Sequence, residues 1–144
     1  MTSTVLQEKL TRHLLELLRI PSVTGNETAI ADHMEQWCAS RPSFEGRVIR
    51  EGNCVVAGKP DQRPSIALVG HLDTVPFTEE DRTPRREGDK IIGRGASDMK
   101  GSIAVMQAFL ERPLVYMIYC RRCCRPILAG RTKECCRRVL CSHS

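Results

Sequence analysis

Aromatic residues are scarce in this chain: Phe, Trp and Tyr make up 4% of its 144 residues. No apolar run approaches the ~20 residues of a membrane-spanning helix. The opening "MTSTVLQEKLTRH" has no apolar core of the length a secretory leader needs. A cytoplasmic location is the expectation, and disulfides are not expected there. Cysteine is nearly missing from residues 1–119, which hold only Cys38 and Cys54. The other six (Cys120, Cys123, Cys124, Cys135, Cys136 and Cys141) crowd into the last 25 residues. Charge is as uneven. The net charge is +5, yet residues 120–144 carry six Arg and one Lys against Glu134, or +6, which leaves −1 for residues 1–119. The body is therefore not a basic, nucleic-acid-seeking protein.

What is present in the body is periodic. Leu6, Leu10, Leu14, Leu17 and Leu18 keep helical spacing over 5–19, and Thr4 with Gln7 suits a capping box. Pro21 and Gly25 interrupt it. A second helix is expected over about 27–39, with Ile30, Met34, Trp37 and Cys38 on one face and Thr24 with Glu27 as its cap. "GRVIREGNCVVAG" reads as two short strands about a turn at Glu51-Gly52-Asn53. "SIALVG" at 65–70 is a continuous apolar run, the pattern of a strand covered on both faces. "DKIIGRG" contains another short strand. Residues 102–111 return to helical spacing through Ile103, Met106, Phe109 and Leu110, and "LVYMIY" at 114–119 is a further buried strand. Strands alternating with helices predict an α/β fold with a mostly parallel sheet flanked by helices.

Two stretches carry chemistry. In "LVGHLDTVP", His71 and Asp73 follow a buried strand, and the carboxyl ends of strands in open α/β sheets are where ligands bind. An imidazole there can ligate a metal while a carboxylate two residues on holds its other ring nitrogen. The same spacing also fits a solvated loop His and a turn-forming Asp. In "GRGASDMKGS", Gly93 and Gly95 permit a tight backbone path and Asp98 falls just ahead of a helix. An aspartate there serves equally as a helix cap.

Taken together, "GHLDTVP" and, about 25 residues later, "GRGASDMKG" resemble the co-catalytic zinc aminoacylase and carboxypeptidase family of metallohydrolases. The opening "LLRIPSVTGNE" fits as well, and the resemblance covers roughly residues 5–119. Within the family the stretches are most similar to the succinyl-diaminopimelate desuccinylases, with the acetylornithine deacetylases next. The resemblance implies the N-terminal part of a zinc-exopeptidase-like catalytic domain. It implies that His71 ligates one zinc, that Asp98 bridges two, and that Asp73, counted with the catalytic machinery, steers His71. It implies a cis Asp98–Met99 peptide. The cofactor would be Zn2+, two ions per complete site, with Co2+ as a possible substitute. The implied reaction is amide hydrolysis of a small-molecule substrate, N-succinyl-LL-2,6-diaminopimelate, to succinate and diaminopimelate on the route to lysine. Metal ions would lower the pKa of a shared water and polarise the carbonyl, and a glutamate would carry the proton to the leaving amine.

The chain departs from that pattern after residue 119. Where the resemblance calls for a Glu-Glu pair, the sequence reads "CRRCC"; Glu79-Glu80 lies upstream of Asp98, and Glu134 is single. The later ligands and the lid and dimerisation domain of the family, whose members are often homodimers, would lie beyond Ser144. Residues 1–119 are thus read as a partial, truncated catalytic domain and 120–144 as a Cys/Arg-rich tail of frameshifted or non-native origin. A zinc knuckle built on Cys120, Cys123, Cys136, Cys141 and His143 is the rival reading, but its second half is irregular. A nucleic-acid arm is the other rival, and it lacks aromatics to stack bases. Arg85 and Arg86 are read as a solvated loop rather than a substrate clamp.

Overall fold

The computed structural model describes residues 3–44, 47–58, 67–79, 83–111 and 116–119. Helix α1 (Ser3–Leu18) and helix α2 (Thr28–Ala39) lead into a short 3-10 turn at Pro42–Phe44. Strands β1 (Val48–Glu51) and β2 (Cys54–Ala57) form a hairpin in which Glu51 pairs with Cys54 across Gly52 and Asn53. Gly52 takes the positive φ of 56° that the tight turn requires. Strand β3 (Ala67–Gly70) follows, then a second hairpin of β4 (Arg85–Glu87) and β5 (Lys90–Ile92). A wide turn at Ala96–Lys100 leads into helix α3 (Gly101–Leu110), and β6 (Tyr116–Tyr119) closes the described order.

The main sheet has the order β1-β2-β6-β3, while β4 and β5 form a sheet of their own. β6 runs parallel to β3 and antiparallel to β2, and β1 is antiparallel to β2. The expected mostly parallel sheet is therefore corrected to a mixed one. The reason is connectivity. A two-residue turn forces β1 and β2 to be antiparallel, and β6 enters beside β2 from the opposite direction. The helical crossover through α3 is what makes the β3/β6 pair parallel.

The core lies between the helices and this sheet. All four expected residues of α2, Ile30, Met34, Trp37 and Cys38, are buried, with Leu17, Phe44, Val55, Leu72, Ile103 and Leu110 around them. Two apolar expectations fail. Phe109 is half exposed, because α3 turns Ile103, Ala104, Gln107 and Leu110 inward instead. β3 is not covered on both faces: Val69 is 53% exposed, and β3 is the last strand of its sheet among the described residues. Thr4 lies inside α1, which is already under way at Ser3, so it is not the helix cap. The position ahead of α2 is filled by Glu27, with no side-chain bond to the helix end. Cys38 and Cys54 are buried, and burial pushes the Cys38 thiol up to about 12. Among the described residues no helix is long and apolar enough to cross a membrane. The tail at 120–144, with every reading made of it, lies outside the described residues.

Candidate functional site

β3 ends at Gly70, and His71 is the next residue. Gly70 packs closely against Met99, whose Cε would lie 2.8 Å from a Cβ built there. The Met99 sulfur in turn lies 3.3 Å from the His71 backbone nitrogen and accepts its N–H. The strand end and the Ala96–Lys100 turn are thus pressed together. Gly95 opens that turn with φ +83°, and a Cβ on it would sit 2.6 Å from Thr74 Cγ2. The Asp98–Met99 peptide is cis.

This packing brings His71, Asp73 and Asp98 to one place. His71 Nε2 is 3.0 Å from Asp98 Oδ1. His71 Nδ1 is 3.0 Å from the Asp73 carbonyl oxygen and 3.3 Å from Asp73 Oδ1. Both neighbours of Nδ1 are acceptors, so Nδ1 carries a proton. In the neutral ring Nε2 then presents a lone pair to a carboxylate oxygen. Two acceptors in such contact need a cation between them, either a second ring proton or a metal ion. Among the described residues no Lys or Arg pairs with Asp73 or Asp98 to lessen their charge. Asp98 is 85% exposed at its side chain and His71 36%, so the contact is open to solvent.

The donor chemistry fits zinc: an imidazole nitrogen and a carboxylate oxygen are both usual ligands, and donors ~2.0–2.2 Å from a tetrahedral ion stand roughly 3.3 Å apart. The donor number falls short. Among the described residues no group of three or more His, Cys, Asp or Glu is arranged to hold a metal, whereas a catalytic zinc takes three protein ligands and water. Glu79 is exposed on the loop after β3, and Glu80 and Glu134 lie outside the described residues. Arg85 and Arg86 are exposed on β4, where Arg85 Nε donates to Glu87 Oε1 at 2.7 Å and Arg86 Nε to the Gly88 carbonyl at 2.8 Å. A surface groove lined by Leu6, Leu10, Leu14, Ile91 and Val105 contains none of the site residues.

The sequence reading missed three supporting residues. Thr24 donates from Oγ1 to Asp73 Oδ2 at 2.9 Å instead of capping α2. Glu27, 2% exposed, accepts from the Gly25 N–H at 2.7 Å and from Asn53 Nδ2 at 2.9 Å. Lys100, also 2% exposed, donates to the Leu17 and Ile20 carbonyls at 3.1 and 2.7 Å, and burial lowers it to about 8. The available signal was "DMKG": a lysine between a candidate ligand and a buried helix is poorly placed for solvent.

Residues 67–113 match the peptidase family M20/M25/M40. The chain is 43% identical over 112 residues to a succinyl-diaminopimelate desuccinylase of Xylella fastidiosa, covering 69% of this chain and 28% of that one. It is 40% identical over 98 residues to a LysW-lysine hydrolase of Deinococcus radiodurans, covering 65% and 26%. In fold it resembles an M20 family metallo-carboxypeptidase of Sulfolobus solfataricus, with a TM-score of 0.59 at 18% identity over 77% of this chain and 30% of that one. The chain spans about a quarter of the length of the curated relatives it matches.

Proposed function

From a chain that belongs, over residues 67–113, to the M20 peptidase family of metallohydrolases, we propose that His71 and Asp98 form the metal-binding half of an amidohydrolase site. The observation that supports this is the 3.0 Å contact between His71 Nε2 and Asp98 Oδ1, with Nδ1 already committed to Asp73. In this reading His71 is a ligand of one zinc, Asp98 bridges to a second, and Asp73 fixes the imidazole so that Nε2 faces the metal. A bound zinc supplies Lewis acidity toward an amide carbonyl and acidifies water. The chain's own part is to hold one neutral and one anionic donor at the end of β3, where no Lys or Arg among the described residues pairs with them.

The substrate class is an N-acylated diamino acid. N-succinyl-LL-2,6-diaminopimelate, giving succinate and diaminopimelate, is the specific reading, supported by the 43% identity to a desuccinylase. The 40% identity to a LysW-lysine hydrolase favours a second reading, hydrolysis of LysW-lysine; acetylornithine deacetylation is a third reading within the family. A small-molecule substrate, a cytoplasmic setting and no nucleic-acid or membrane partner go with the first and third.

Zinc stoichiometry tests the site. Zinc bound by the 144-residue chain is lost in His71→Ala and in Asp98→Ala. Zinc lost instead in Cys120→Ala or Cys123→Ala supports the non-catalytic, tail-based reading. The chain as it stands is expected to release no succinate. Among the described residues no glutamate joins the pair to accept a proton from water, a role worth ~10²–10⁴ in rate. Reading the DNA after codon 119 in the other two frames tests the origin of the tail. Assay of the frame-restored protein on the three substrates then ranks the specificities.

A further inference from the structure

His71 Nδ1 bonds the Asp73 backbone carbonyl at 3.0 Å, with the Asp73 carboxylate Oδ1 beside the same nitrogen at 3.3 Å, and the carbonyl bond does not explain why the carboxylate stays aimed at the ring. The segment between α1 and α2 supplies the explanation. It runs alongside the residues that follow β3, with Val23 and Thr74 forming a parallel bridge. The Thr74 N–H donates to the Ser22 carbonyl at 2.8 Å and the Thr24 N–H to the Thr74 carbonyl at 3.0 Å. These backbone bonds place Thr24 independently of its side chain. Its hydroxyl then donates to Asp73 Oδ2, leaving Oδ1 beside His71 Nδ1.

The same segment is pinned at both ends by buried charged groups. At its start Lys100, which arrives from the Asp98 turn, binds the Leu17 and Ile20 carbonyls. At its end Glu27 gathers the Gly25 N–H and Asn53. The loop therefore touches both arms of the site: the His71 arm through Thr24 and Asp73, the Asp98 arm through Lys100. A hydrogen bond in a partly exposed place contributes little to stability. Its consequence is directional, because an unanchored Asp73 carboxylate is free to rotate toward water.

We propose that Thr24 is a positioning residue for the candidate metal site, acting through Asp73 to hold the carboxylate against His71 Nδ1. This rests on the reading of His71 and Asp98 as metal ligands, and the test separates the two. Thr24→Val keeps the shape and the backbone–backbone bonds but removes the hydroxyl donor, which faces Asp73 Oδ2 at 2.9 Å and, at a longer 3.3 Å, the Thr74 carbonyl; Thr24→Ser restores it. In the metal-free 144-residue chain, the His71 ring nitrogen resonances, assigned with His71→Ala, are expected to move in Thr24→Val and to stay at their wild-type positions in Thr24→Ser. With zinc as titrant, Thr24→Val is expected to bind about tenfold more weakly than wild type, the low end of the range for outer partners of a ligating histidine, and Thr24→Ser like wild type. Unmoved His71 resonances in Thr24→Val overturn the proposal. So does unchanged zinc affinity in Thr24→Val where His71→Ala abolishes binding. If His71→Ala leaves zinc affinity intact, the metal reading fails, and Thr24 does not position a metal site even where it orders the ring.

Discussion

Two histidines in this fold face carboxylates, and they do so to opposite ends. His13, on α1, is 3% exposed; its Nε2 lies 3.3 Å from Glu111 Oε1, off the hydrogen-bonding direction, and its ring meets Trp37 edge-on with centroids 6.3 Å apart. Glu111 is not left with an uncompensated charge. Lys9 pairs with it closely, and Arg41 reaches it at 3.5 Å while stacking over Trp37 at 4.5 Å. Acid, cations and ring join α1, the end of α2 and the end of α3 into one packed unit. His71 and Asp98 make a similar contact at 3.0 Å, but at the surface and with no Lys or Arg among the described residues to balance it. The first arrangement is closed electrostatically and holds the fold together. The second is left open, which suits an external cation and adds little to the fold.

The largest expected effect comes from breaking the closed cluster. Glu111→Gln keeps the shape but leaves Lys9 and Arg41 without their shared carboxylate in a place only 21% exposed at Glu111. Removing one partner of a buried ion pair costs ~3–5 kcal/mol; with this partial exposure the loss of unfolding free energy is expected to be about 2–3 kcal/mol, read from urea denaturation. A loss under ~0.5 kcal/mol shows that the cluster is a solvated surface network.

Next in size is Gly95→Ala, which attacks the site's scaffold and leaves the cluster alone. The φ of +83° is strained for any side chain, and the new Cβ meets Thr74 Cγ2 at 2.6 Å. A strained backbone costs of order 1–3 kcal/mol, so about 2 kcal/mol is expected. The turn carrying Asp98 shifts away from Thr74 to relieve the contact, and zinc binding falls with it. Unchanged stability shows that the turn tolerates the methyl group.

These two variants also mark what was legible in the sequence and what was not. The inward face of α2 is a local property of spacing, and Ile30, Met34, Trp37 and Cys38 follow it. His71 and Asp98 were singled out by the resemblance of "GHLDTVP" and "GRGASDMKG" to the metallohydrolase family, since each stretch alone fits a loop His or a capping Asp as well. Strand direction was not legible, because β6 meets β2 and β3 only after the chain has crossed the sheet. Thr24 was read as a helix cap because capping is a pattern within a few residues, while its true partner, Asp73, is 49 positions away. Glu111 has the same difficulty: Lys9 comes to it from α1 and Arg41 from just beyond α2, and no short motif records that.

A smaller effect concerns the pH dependence of stability. Burial lowers the pKa of His13, aided by Arg12, Lys9 and Arg41 and opposed by Glu16. His33 is lowered by burial too, against Glu16. The native state therefore binds fewer protons than the unfolded chain between the lowered values and 6.5. Stability rises with pH across that window and is lost as pH falls below about 6.5. His13→Gln should flatten the slope of urea midpoint against pH between 7.5 and 5.5, by one histidine's share. An unchanged slope assigns the proton uptake elsewhere.

The smallest expected change in stability is the most informative. Asp98 is 85% exposed at its side chain, and the Asp98–His71 contact is its one ion pair among the described residues. Exposed pairs are worth ~0–1 kcal/mol. Here even that is offset, because Asp73 and Asp98 bring two negative charges to one imidazole. Asp98→Asn removes one charge and keeps the shape. Its unfolding free energy should therefore lie within ~0.5 kcal/mol of wild type, while zinc binding at the body site is lost. Glu111→Gln should show the reverse, a large loss of stability with zinc binding retained at temperatures where the fold persists. If Asp98→Asn instead unfolds the chain and Glu111→Gln does not, the two regions have been assigned the wrong way round. The His71–Asp98 contact would then be a structural ion pair, and the argument for a cation between them would fall with it.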